Sequence, residues 1–212
     1  MEKVKEVPYG VADFVTVMEQ NLYYVDKTMF IPELEKQPRN LFFIRPRRFG
    51  KSIFLSMLHS YYDCNQSAKF QSLFGNLWIG QHPTELQGKY QVLFLDFSQV
   101  SGNIDSLERN FDFYCSVKLD GFMRRYGESY SEETREKVRK AEYAMDKLAF
   151  IHDEAAQKGF SLYLIVDEYD NFLGIIYETD IKKISYSQYG LSLAQNKTFS
   201  SSLIKYLKSA LC

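Results

Sequence analysis

Short apolar runs alternate with longer stretches of helical period along this chain. Leu41-Phe42-Phe43-Ile44 is a continuous apolar run, the pattern of a strand buried on both faces. Ile53 to Tyr62 follows with a broad apolar stripe and predicts a helix. Tyr90 to Phe97 predicts a second core strand. A helix is expected from Asn103 or Asp105 to Arg125, ending at Gly127. Ser129-Tyr130-Ser131-Glu132 has capping-box spacing and opens a further helix to about Lys158, with Gly159 as its C-terminal cap. Leu162 to Val166 is a third apolar run and ends in Asp167-Glu168. Ahead of these, Tyr24 to Thr28 reads as a turn entering a helix at Asp26 or Thr28, with Pro32 tightening or breaking its first turns.

Two junctions carry chemistry. After Ile44 the chain reads Arg45-Pro46-Arg47-Arg48-Phe49-Gly50-Lys51-Ser52. Strand, tight basic turn and helix form the layout of a phosphate-binding loop, where free N–H groups at the helix start point at an anion. Gly50 lets backbone approach a phosphate without a Cβ in the way. Lys51 would place an ammonium on the β- and γ-phosphates, and Ser52 a hydroxyl on Mg2+. Arg47, Arg48 and Phe49 complete the candidate nucleotide-binding set. Arg45 stands where the general pattern G-x-x-x-x-G-K-[ST] has its first glycine. The plain alternative is a basic strand-to-helix turn. Cations crowded at a helix N-terminus oppose the helix dipole, which favours an anion among them.

The second junction is Val166-Asp167-Glu168, a Walker-B pattern. Asp167 at the strand end would hold Mg2+, directly or through water. Glu168 would orient or deprotonate the attacking water, making Glu168 and Lys51 the catalytic candidates and Ser52 and Asp167 the metal candidates. In open parallel sheets ligands bind beyond the carboxyl ends of the strands, so the two junctions can meet. An acidic turn after a core strand is the alternative for this motif taken alone.

Four segments carry a resemblance to a known group. Pro8 to Phe14, Tyr23 to Thr28, Ile44 to Ser52, and Val166-Asp167-Glu168-Tyr169-Asp170-Asn171 resemble the bacterial AAA-ATPase-like family. The Arg-Pro-Arg-Arg-Phe-Gly-Lys-Ser loop is that family's own form, which accounts for Arg45. The resemblance implies a P-loop NTPase domain that binds ATP and Mg2+, with Mg-dependent hydrolysis in the intact family. The implied fold is α/β, a three-layer domain on a mostly parallel sheet. Residues 1–37 would form a leading segment and 38–172 the P-loop domain. The leading segment often packs near the adenine in P-loop proteins. Asp26 and Lys27 would then touch the base or hold the segment down, a helix cap and its neighbour being the preferred reading.

After Asn171 the quoted motifs end, and 173–212 is expected to be a divergent tail of uncertain structure. This motivates the expectation of a truncated domain, incomplete at its C-terminus. The competing function is a non-catalytic remnant or interaction protein, with a protein partner or oligomer left open. Phosphoryl transfer to another acceptor also fits the loop, but Glu168 tilts the chemistry towards water. Asp96 reads as a capping or solvated residue rather than a site residue, and Asp170 as a site contact or a cap.

Composition adds bounds. The chain has 212 residues and net charge −1, so bulk charge does not indicate a nucleic-acid partner. Phe 17 and Tyr 16 are high and read as packing material. Cys64, Cys115 and Cys212 are odd in number and widely spaced, which suits a reducing cytoplasm and gives no metal pattern. No run approaches the roughly 18 apolar residues of a membrane span. His59, His82 and His152 lie far apart and read as structural.

Overall fold

The computed structural model describes residues 5–37, 41, 49–102 and 104–168. They form an α/β chain, mostly helical, with a small parallel sheet of two strands. Two compact units divide at Val92 and Leu93, within the span 38–172. The expected strand Leu41 to Ile44 lies outside the described residues apart from Leu41.

In the first unit, α1 (Phe14–Glu19) starts at Asp13, whose carboxylate accepts from Thr16 N at 2.7 Å. A 3-10 turn (Thr28–Phe30) leads into α2 (Ile31–Glu35), with Pro32 in its first turn as its fixed φ allows. Then come α3 (Lys51–Tyr62), α4 (Phe70–Phe74) and α5 (Trp78–Gln81). α1 is held on α3 by Phe14 N donating to Ser56 Oγ at 2.9 Å, while Ser56 Oγ donates to Asp13 at 3.1 Å. The core between them is aromatic. Phe14 stacks on Phe74 with centroids 4.9 Å apart, and Tyr61 meets Phe74 edge-on at 5.5 Å. All three rings are fully buried, each worth about 1.5–3 kcal/mol of transfer free energy.

The second unit contains most of β1 (Tyr90–Asp96), then α6 (Ile104–Tyr126), α7 (Glu132–Lys140), α8 (Ala144–Lys158) and β2 (Ser161–Asp167). β1 and β2 are neighbours in the sheet. Parallel pairing requires a crossover, and α6, α7 and α8 supply it. Asp96 accepts from Ser98 N at 3.0 Å and so caps the turn after β1, as its capping reading expects.

The helix expected from Ser129 to Lys158 is two helices. Ala141, at ψ 131, is extended and ends α7. α8 restarts because Asp112 of α6 accepts from Ala144 N at 3.0 Å, satisfying one of its free N–H groups. The N-cap is Ser131, which accepts from Thr134 N at 3.2 Å, not Ser129, which ends a 3-10 turn. Gly159 closes α8 as expected. Its φ of +73 is left-handed, and Phe160 N donates to Ala155 O at 2.8 Å.

Glu154 locks α8 to the start of α7. Its carboxylate accepts from Ser131 N at 2.8 Å and Ser131 Oγ at 2.9 Å, and pairs with Lys158 at 2.7 Å. Burial pushes this carboxyl up, but hydrogen bonds from Lys158, Thr134 and Ser131 outweigh that and hold it at about 2.

Candidate functional site

Gly50 is the N-cap of α3 at φ +76 and ψ 28, a left-handed conformation that glycine adopts without Cβ cost. Its carbonyl accepts the first helical bond, from Phe54 N at 3.1 Å. Lys51 and Ser52 are therefore the first two helical residues, where backbone N–H groups lack partners within the helix. The first turn has no acidic residue, and Gly50 brings no side-chain cap. Both side chains are half-buried, and Phe49 before them is exposed. Arg45, Arg47 and Arg48 lie outside the described residues.

The leading segment comes close to this end. Lys27 Nζ lies 3.5 Å from the point where a Cβ on residue 50 would stand. Asp26 does structural work. It accepts from Thr28 N at 2.8 Å, Thr28 Oγ1 at 2.7 Å and Trp78 N at 2.7 Å. Fully buried Thr28 in turn accepts from Ile79 N at 3.1 Å. This double cap ties the turn at residues 26–30 to α5. A cavity of about 200 Å3 opens beside Gly50, between Phe49, Phe54, Phe30 and Leu34. Nothing in the sequence marks Phe30, since an aromatic in a turn reads as packing.

The acidic motif lies in the second unit. Asp167 is the last residue of β2 and is 4% exposed. Its carboxylate accepts from Glu168 N at 2.9 Å. Glu168 has φ +52, a left-handed backbone that costs a non-glycine residue about 1–2 kcal/mol. Such strain gathers where a side chain must be aimed. Asp170 and Asn171 lie outside the described residues.

Among the described residues no group of three or more His, Cys, Asp or Glu gathers around one point. A magnesium site of the P-loop type does not require one, because phosphate oxygens and water supply most ligands. The Ser52 hydroxyl, at a helix start in the first unit, and the Asp167 carboxylate, at a strand end in the second, are each oxygen donors of the kind magnesium takes. His59, read as structural, has Asp63 one turn on, with Nε2 to Oδ2 3.5 Å. The i,i+4 spacing was the available signal. Among the described residues, no helix is long and apolar enough to cross a membrane.

The sequence model of the Predicted AAA-ATPase family matches residues 8–207. The matched span runs past Asn171, so the family likeness covers most of the stretch expected to diverge. An uncharacterized protein encoded in the vnfD 5' region of Azotobacter chroococcum mcd 1 is 43% identical over 63 residues, 29% of this chain. The chain spans only 12% of that relative's length. No solved structure matches. By the extent of the family match, this chain belongs to the Predicted AAA-ATPase family.

Proposed function

We propose that this family member binds Mg-ATP at the N-terminus of α3 and hydrolyses it. The observation that carries the reading is the conformation of Gly50-Lys51-Ser52: a left-handed glycine, then a lysine and a serine opening a twelve-residue helix. That geometry supports a site where N–H groups and the Lys51 ammonium meet phosphate oxygens. Arg47 or Arg48 would add charge to the same phosphates. Ser52 and Asp167 are the residues proposed to hold Mg2+, which would supply charge neutralisation to the phosphates. The same reading expects a three-layer P-loop domain on parallel strands over 38–172, with 1–37 leading into it.

Glu168 is the proposed general base. It would take a proton from water as the water oxygen bonds to the γ-phosphorus and the bond to the β–γ bridging oxygen breaks. ADP and inorganic phosphate leave. The left-handed backbone at Glu168 supports this role, because backbone strain of this kind clusters at active sites.

Binding and turnover of Mg-ATP on wild type, Lys51→Ala and Glu168→Gln test the reading together. Lys51→Ala is expected to lose binding at least about tenfold, the worth of one charge-assisted contact. Glu168→Gln is expected to keep binding and lose turnover by about 10²-fold or more. Equal binding by wild type and Lys51→Ala would end the proposal.

A further inference from the structure

We infer that Lys27 is a second phosphate-binding lysine: its ammonium, carried by the leading segment, meets the same polyphosphate chain as Lys51. The inference rests on the phosphate-site reading above and adds to it a residue from outside the loop. The observation behind it is a convergence. Lys27 Nζ lies 3.5 Å from the point where a Cβ on residue 50 would stand. Gly50 is the left-handed cap of α3, and Lys51 is the first residue of that helix. An ammonium in that place is within reach of an anion that approaches the Gly50 backbone.

The surroundings give this ammonium no other evident task. Lys27 is half-buried, and among the described residues no carboxylate pairs with it. The acids nearest in the chain are committed elsewhere. Asp26 spends one carboxylate oxygen on Thr28 and the other on Trp78 N, and Glu33 pairs with Lys36 at 2.7 Å. A half-buried cation without a counter-charge is unfavourable, and so is a cation at the positive end of a helix. A polyphosphate at the start of α3 relieves both.

The position of Lys27 is also prepared rather than incidental. Asp26 ties the turn that carries it to α5, so the ammonium is presented with little ordering left to do on binding. Lys27 lines an apolar wall with Phe30, Leu34 and Phe49. A lysine in such a wall packs its methylenes on apolar surface and delivers its charge at the end; here that end is Gly50.

Titration calorimetry on the full chain with Mg-ATP and Mg-tripolyphosphate tests this, using wild type, Lys27→Met, Lys27→Arg and Lys51→Ala, with a thermal melt of each without ligand. Tripolyphosphate has no base or sugar, so it reads the phosphate contacts alone. Lys27→Met keeps the length of the stem and removes the charge. It should weaken ATP and tripolyphosphate by the same factor, about tenfold or more, the worth of one charge-assisted contact. Its Tm should stay within about 2 °C of wild type, because no ion pair among the described residues is lost. Lys27→Arg keeps the charge and should bind both ligands within about threefold of wild type. If Lys27→Met binds both ligands like wild type while Lys51→Ala does not, the inference is overturned and the phosphate site stands. Loss of ATP binding with tripolyphosphate unchanged also overturns it, because Lys27 then serves the nucleoside. Loss of binding in both Lys27 variants with a lowered Tm assigns Lys27 to holding the segment in place and overturns it as well. Lys51→Ala binding ATP like wild type removes the phosphate site and this inference with it.

Discussion

Gly50→Ala separates two consequences of one glycine. At φ +76 an alanine pays for the left-handed backbone, about 1 kcal/mol. Its Cβ would stand 3.4 Å from Ile53 Cγ2 and 3.5 Å from Lys27 Nζ, ordinary contact that adds no large clash. The stability cost is therefore the backbone cost alone, a fall in Tm of about 2–4 °C for a chain of this size. If phosphate approaches the backbone here, the new methyl also stands in its path. Losing one charge-assisted hydrogen bond then weakens Mg-ATP about tenfold or more. Gly159→Ala is the matched control. Its φ is +73, nothing lies within 4 Å of an added Cβ, and it closes α8. Calorimetric melting and ATP titration of both variants give the comparison. Similar Tm losses are expected, with ATP binding lost only in Gly50→Ala. If Gly50→Ala binds Mg-ATP within about twofold of wild type, the close-approach reasoning is refuted. A Tm loss far above that of Gly159→Ala would refute the claim that only φ is strained.

Two further substitutions probe the second unit. Glu154→Gln should cost about 2 kcal/mol at pH 7, since Glu154 is buried and its carboxylate holds Ser131 and Lys158. The folded carboxyl sits at about 2 against an ordinary 4.5, so this stabilisation is complete above about pH 4.5 and is lost as pH falls towards 2. Urea melts at pH 7 and pH 3 should show the gap between wild type and variant narrowing; a gap independent of pH would count against it. Asp120→Ala leaves Lys147, only 5% exposed, without its partner at 2.7 Å, and should cost about 2–3 kcal/mol. The double variant Asp120→Ala/Lys147→Met should recover much of that loss in the same melts, and no recovery would show that the buried charge is not the cause.

Signals that act within one helical turn were legible in the sequence. Gly159 ends α8 where the helical period stops, and Lys51 opens α3 directly after the glycine. Both depend on neighbours in the chain, so spacing carries them. The break at residues 141–143 was not legible, because α8 takes its cap from Asp112, a residue of α6. The reading of Ser129 as N-cap failed for a related reason. Both serines fit a capping pattern, and Ser131 is chosen by a distant carboxylate, Glu154, that holds it in place.

The candidate site divides along the same line. A phosphate loop is built by consecutive residues, so Gly50, Lys51 and Ser52 could be assigned roles from their order alone. The cavity beside Gly50 has no such order: its Phe30 and Phe49 come from separate segments and share no period. What joins them is Asp26, which accepts from Thr28 and from Trp78, far along the chain, and so fixes the turn beside α3. The preferred reading of Asp26 as a cap is the one its hydrogen bonds support. The carboxylate matters through the cap it makes, which determines where Lys27 and Phe30 stand beside Gly50.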